Sequence, residues 1–241
     1  MTFSTQSGII STEYDPRYFN SARDADKITD CSDGVPRRKK KKKYGSCRKT
    51  RSFFEMKEAN MIVKAKLMDE GAMHRTLVRM AHEIVEKNDA ESKLCFLGIH
   101  TRGVPLAKEL AENVAKFSEI QTCFGSVDVT PHRDDRNKDS EEVTVTNTKI
   151  DFPIDGCTVI LVDDVIYTGR TIRAAMEALM RLGRPAKIQL AVLVDRGHRE
   201  LPIRGDYVGK NVPTSRKERI SVRVAEYDGE TGVYVCEPNE N

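Results

Sequence analysis

Val159-Ile160-Leu161-Val162-Asp163-Asp164-Val165-Ile166-Tyr167-Thr168-Gly169-Arg170-Thr171 is the stretch on which the fold turns. Val159 to Val162 are apolar and mostly β-branched, the pattern of a strand buried on both faces. Charge follows at once as two adjacent carboxylates, Asp163 and Asp164. Thr168-Gly169-Arg170-Thr171 then reads as a tight turn opening a helix, with Ile172, Met176 and Leu179 along one face.

The first turn of a helix leaves about four backbone N–H groups unpaired, and with the helix dipole they suit a phosphate. Thr168 and Thr171 add hydroxyl donors, and Gly169 lets the backbone approach an oxygen closely. Paired carboxylates beside such a turn accept hydrogen bonds from a vicinal diol. A phosphate and a diol a few ångströms apart describe a ribose 5-phosphate. A strand that merely ends in an Asp helix cap is the plainer alternative, and the whole acidic and threonine series argues against it.

Outward from this unit, strands alternate with helices. Leu94 to Ile99 reads as a buried strand, then His100-Thr101-Arg102-Gly103, then a helix with Leu106, Leu110 and Val114 on one side. This second donor-rich junction suits a second anion. Cys123 to Thr130 suggests another strand, running into a polar insertion that starts at Pro131-His132-Arg133-Asp134 and continues to about Thr148. A helix is expected from about Asp69 to Lys87, with Met73, Leu77, Met80 and Ile84 at helical spacing and His74, Arg75, Arg79 and His82 on its polar side. Downstream, the helix through Met176 to Leu182 stops at Gly183, and Ile188 to Val194 is a second continuously apolar strand ending in Asp195. Arg196 to Lys210 reads as a basic loop, and short strands around Ser221 to Val224 and Gly232 to Val235 finish the chain. The expectation is an α/β fold, a mostly parallel sheet flanked by helices on both faces, with its active site along the carboxyl edge.

Composition narrows the partners. The net charge of +3 conceals a division: residues 1 to 55 carry thirteen Lys or Arg against seven Asp or Glu, whereas the remainder carries twenty-seven against thirty. Nucleic-acid binding by the folded part must therefore rest on a local patch. Residues 1–60 read as a disordered basic extension around Arg37 to Lys43, either a polyanion-binding arm or translated sequence ahead of the true start. No apolar run approaches a membrane span and no secretory signal is evident, so the cytoplasm is expected. The six cysteines form no C-x-x-C pair, and no protein-only metal site is expected. Cys95, Cys123 and Cys157 are read as core residues.

The motif around Asp163-Asp164 and Thr168-Gly169-Arg170-Thr171 resembles the phosphoribosyl pyrophosphate (PRPP) site of type I phosphoribosyltransferases. A narrower resemblance lies in Leu193-Val194-Asp195-Arg196-Gly197-His198-Arg199-Glu200-Leu201-Pro202-Ile203-Arg204 and Asp206-Tyr207-Val208-Gly209-Lys210-Asn211. It points to the PyrR family, pyrimidine attenuator proteins that also act as uracil phosphoribosyltransferases, and it covers about Glu70 to the C-terminus. The resemblance implies a type I phosphoribosyltransferase domain over 61–241, with a small base-binding hood. It implies PRPP and UMP contacts from Thr101, Arg102, Gly103, Asp163, Asp164, Tyr167, Thr168, Gly169, Arg170, Thr171, Asp195 and Arg196. Asp163, Asp164, Arg102 and Arg133 are the implied catalytic set, with Asp134 beside Mg2+ that is bound mainly through PRPP. Arg79, His82, Arg199, Arg204 and Lys210 are the implied contacts to a leader loop of pyrimidine-operon mRNA, on a homodimer or higher homo-oligomer. Val78 stands where many members carry Thr, and His132 where the family usually has Tyr. The PRPP motif alone does not name the base, so the alternative is another nucleobase phosphoribosyltransferase without RNA regulation.

Overall fold

A computed structural model describes residues 61–129 and 148–239, all within one compact unit. The extension 1–60 and the polar insertion with Arg133 and Asp134 lie outside the described residues. Five strands form a parallel sheet in the order β3-β2-β4-β5-β6: β2 Lys93–Ile99, β3 Gln121–Val127, β4 Thr158–Ile166, β5 Lys187–Asp195 and β6 Tyr207–Asn211. A second sheet, antiparallel and three-stranded, has the order β1-β8-β7, from Met61–Asp69, Gly232–Pro238 and Arg219–Arg223. The helices are α1 Glu70–Lys87, α2 Gly103–Phe117, α3 Arg170–Leu182 and the short α4 Ala225–Asp228.

Strand periodicity divides the core. Ile160 and Val162 of β4 join Leu94 and Phe96 of β2 in a cluster that takes in α1 and α2. Val159 and Leu161, with Cys95, Leu97 and Ile99, face the opposite way onto α3. Both faces are therefore covered, which is why these strands are continuously apolar. Each fully buried Leu, Ile or Val in these central strands contributes roughly 1.5–3 kcal/mol of apolar driving force. Helix α1 buries Met73, Leu77, Met80, Ala81 and Ile84, and Asp69 caps it by accepting from the Ala72 N–H at 2.7 Å. Cys95, Cys157 and Cys236 are buried, while Cys123 is half-buried.

Three elements depart from the sequence reading. Strand β4 does not end at Val162: its pairing with β2 stops there, at Gly98↔Val162, but its pairing with β5 continues to Ile166↔Asp195. Asp163 and Asp164 thus lie on a step in the sheet edge, inside a strand that is paired on one side only. Tyr207–Asn211, read as the end of a basic loop, is the edge strand β6. Tyr207 is fully buried and pairs with Ala191, so a five-residue strand was hidden among charged neighbours. Strand β1 was not foreseen, because six of its nine residues are exposed and its partner β8 is far away in sequence.

Candidate functional site

The carboxyl edge of the parallel sheet gathers the predicted residues from three junctions. After β2, the His100–Thr101 peptide is cis and α2 begins at Gly103 with no side-chain cap on its first N–H groups. Gly103 is obligatory: a Cβ there would sit 2.4 Å from the Val162 carbonyl oxygen. Gly98 is equally tight, since its Cβ would lie 2.5 Å from the Val104 Cα. The Thr101-Arg102-Gly103 turn is therefore pressed directly against the residue that precedes the acidic pair.

Asp163 is buried, and its Oδ1 accepts from the Asp164 N–H at 2.9 Å. Asp164 Oδ1 accepts from the Val165 N–H at 2.8 Å. Burial pushes the Asp164 carboxyl above the usual range, although the hydrogen bonds from Asp163 and the backbone and the charge of Arg102 act in the opposite direction. Asp164 and Arg102 share the lining of a cavity of about 230 Å³ with Val165, Met61 and Cys236, and with Arg219, Ile220, Ser221, Val222 and Arg223 of β7. The Arg102 guanidinium is gripped by Asp228 of α4, Nε to Oδ2 at 3.2 Å and Nη2 to Oδ1 at 2.9 Å. No pattern in the sequence pointed to Asp228, Arg219 or Arg223, because they come from α4 and β7 near the far end of the chain. A larger cavity, about 520 Å³ between the start of α1, α2 and α4, contains none of the predicted site residues.

After β4, Gly169 adopts φ 93° and α3 opens without a side-chain cap. A side chain there would meet a left-handed backbone and the side chains of Leu201 and Ile203. The Thr168 carbonyl accepts from the Glu200 and Leu201 N–H groups at 3.0 and 3.1 Å, so the loop after β5 braces this turn. Thr168 Oγ1 lies 3.4 Å from the Arg170 nitrogen. Arg170 itself points to Glu200, Nε to Oε2 at 2.9 Å.

The loop after β5 builds a third wall. Arg196 is buried with its guanidinium 4.1 Å over the Tyr167 ring, donating to Thr214 Oγ1 at 3.1 Å, Ser215 O at 3.3 Å and Glu218 O at 2.7 Å. Burial lowers its pKa. Gly197 and His198 take positive φ angles of 79° and 60°, and His198 Nε2 lies 2.6 Å from Thr214 O. Asp195 anchors the turn, accepting from the Gly197 N–H at 2.9 Å and from Arg199 Nη2 at 2.5 Å. Arg199 also donates to Ile203 O at 2.8 Å and Tyr167 O at 2.9 Å. Its guanidinium thus holds the loop to the end of β4.

The candidate RNA residues fall in three places. Arg79 pairs with Glu83 and donates to Val208 O at 3.0 Å and Gly209 O at 2.7 Å, beside Lys210, whose Nζ lies 3.4 Å from Leu67 O. His82 stacks on Phe117 of α2 with centroids 4.2 Å apart. Arg204 is exposed, and Arg199 is built into its own loop as described. Arg79 and Lys210 are therefore neighbours across α1 and β6, whereas His82 and Arg199 are held by separate contacts.

The chain matches the phosphoribosyl transferase domain model over residues 65–226. It is 55% identical over 170 residues to the bifunctional protein PyrR of Caldicellulosiruptor bescii, covering 70% of this chain and 93% of that protein. It is 52% identical to bifunctional protein PyrR of Clostridioides difficile, covering 73% of this chain and 100% of the relative. For the Thermus thermophilus protein of that name the identity is 53%, with 73% and 98% covered. Among solved structures, a hypoxanthine phosphoribosyltransferase of Staphylococcus aureus superposes with a TM-score of 0.56 at 16% identity, over 74% of this chain and 94% of the other. The hypoxanthine phosphoribosyltransferase of Trypanosoma cruzi gives 0.55 at 17%, over 73% and 98%. At such identities the likeness is one of fold.

Proposed function

The chain belongs to the PyrR family of phosphoribosyl transferase domain proteins, and from that premise we propose that it transfers the phosphoribosyl group of PRPP to uracil, giving UMP and pyrophosphate. The observation that carries the reading is the stepped edge of β4. It sets Asp163 and Asp164 between two helix starts that lack side-chain caps, beside a cavity that Arg102 also lines. The start of α3, with Thr168 and Thr171, takes the 5-phosphate. Asp163 and Asp164 accept from the ribose hydroxyls. The Thr101 to Gly103 turn and Arg102 take the pyrophosphate, and backbone groups of Arg196 to Arg199 beside Tyr167 read the base.

In the reaction the bond from the anomeric carbon to pyrophosphate breaks and a bond to a ring nitrogen of uracil forms, while the proton of that nitrogen passes to the departing pyrophosphate or to solvent. Positive charge grows on the ribose while negative charge grows on the leaving group. The Asp163 and Asp164 carboxyls stabilise the first, and Arg102 with the α2 N–H groups stabilises the second, each such contact contributing roughly 10²- to 10³-fold in rate. Holding both ends of PRPP lowers the entropic part of the barrier. The described residues hold no cluster of three or more His, Cys, Asp or Glu fit for a metal. Asp163 or Asp164 would be the protein groups able to face a Mg2+ held mainly by PRPP oxygens, and the ion would supply charge neutralisation. Arg133 and Asp134, the expected pyrophosphate and magnesium contacts, lie outside the described residues.

The second activity is UMP-dependent binding of a pyrimidine-operon mRNA loop, which alters transcription attenuation. A homodimer joins two such faces in the cytoplasm, and no described helix is long and apolar enough to cross a membrane. Product formation with PRPP against uracil, hypoxanthine, guanine and orotate tests the first activity, and only uracil should yield nucleotide efficiently. Preference for another base refutes the base assignment and leaves the PRPP site intact.

A further inference from the structure

Arg102 leaves the turn after β2 as a long side chain on a helix start without a cap. Left alone, such a guanidinium samples many rotamers. Here Asp228 meets it side-on through two bonds, Nε to Oδ2 at 3.2 Å and Nη2 to Oδ1 at 2.9 Å. Paired contacts of this kind fix the plane of the guanidinium as well as its place. The two side chains are only 23% and 19% exposed, so solvent screens the pair less than it would a surface ion pair. Asp228 is itself held, because its Oδ2 accepts from the Val224 N–H at 2.9 Å where α4 begins. Burial alone would raise the Asp228 carboxyl, but the hydrogen bonds of Arg102 and Val224 and the charges of Arg102 and Arg223 outweigh it and keep it below the usual range. Since α4 lies between β7 and β8, the contact joins the small sheet to the parallel sheet beside the cavity that Arg102 and Asp164 line.

We propose that Asp228 is a positioning residue for phosphoribosyl transfer: gripping Arg102 from α4, it presets the guanidinium for the departing pyrophosphate. This rests on the transferase reading above. Asp228 acts through Arg102 and does not touch the substrate, whose pyrophosphate a second anion would repel. The small sheet therefore shapes the leaving-group end of the site through this carboxylate as well as by walling the cavity.

Steady-state kinetics with PRPP and uracil test this on the full chain, for wild type, Asp228→Asn, Arg102→Ala and the double variant. Asn keeps an amide oxygen for the Val224 N–H but loses the charge, so it separates the grip on Arg102 from the cap on α4. Asp228→Asn should lower kcat/KM for PRPP roughly tenfold while the KM for uracil stays within about twofold, and in the Arg102→Ala background its added effect should fall below about twofold. Asp228→Glu keeps the charge and displaces it by one methylene, and should show the same PRPP-selective loss at smaller amplitude. It serves as the second variant if Asn does not fold. Equal losses in both backgrounds, equal changes for both substrates, or unchanged PRPP kinetics overturn the role of Asp228. A wild-type protein that forms no nucleotide overturns the transferase reading as well, and the two failures are thereby told apart.

Discussion

Asp164 shows at the scale of one side chain how function opposes stability. A carboxyl whose folded pKa lies above its unfolded value binds its proton more tightly in the fold, so folding stability falls as pH rises from the ordinary value of 3.8 towards the raised one, and stays lower beyond it. Asp164→Asn removes that cost. Thermal melting should show the variant more stable than wild type at neutral pH, with the difference shrinking as pH is lowered past the usual carboxylate range. The same variant should lose ~10²-fold or more in turnover, since it removes the electrostatic contact proposed for the reacting ribose. A variant with near-normal turnover would show that the ribose is held elsewhere. Arg199 teaches the converse. The family resemblance sets Arg199 among the RNA contacts, and in the structure its guanidinium donates to Asp195, Ile203 and Tyr167. A charge pattern does not reveal which arginines are already committed to carbonyl oxygens nearby.

Four of the five parallel strands and the three longer helices were legible because apolar runs and helical spacing carry strong local signals. Strand β4 was placed by Val159 to Val162, but its true end depends on a neighbour: β2 leaves it at Val162 and β5 follows it to Ile166. Strands β1 and β6 were illegible for related reasons, the first paired with a strand at the opposite end of the chain and the second marked only by Tyr207 and Val208. Asp228 could not be found from the motif for the same cause. The packing of α2 on β4 yields a prediction at this scale. Gly103→Ala drives a methyl group to 2.4 Å from the Val162 carbonyl. Strain of this kind costs typically ~1–3 kcal/mol. Denaturant melts should show that loss, and KM for PRPP should rise because the pyrophosphate turn is displaced. An unperturbed Gly103→Ala enzyme would mean the turn is less closely fitted than described.

For the whole molecule, charge is too evenly spread over the folded part to favour nucleic acid in general. The local concentration lies along α1 and β6, where Lys87 donates to Asp206 O at 3.0 Å and sits over the Tyr207 ring, near exposed Arg204 and Lys210. RNA held there by about three phosphate contacts should lose roughly twentyfold in affinity between 50 and 200 mM salt, by the single-strand slope of about −0.7 per contact. Uridylate production should change little over that range, since its charges work inside a cavity. Filter retention of leader RNA with and without UMP checks this, and absence of UMP-stimulated retention at low salt leaves an enzyme alone.

Gly103 touching the carbonyl of Val162 has a mechanical meaning. With no clearance between them, the two turns proposed to hold the phosphorylated ends of the sugar cannot move closer together, and on that reading the protein acts as a caliper with a set minimum opening. On the proposed reading a ligand is judged by its span before its base is read: the full-length donor would engage both jaws, whereas ribose 5-phosphate would fill just one.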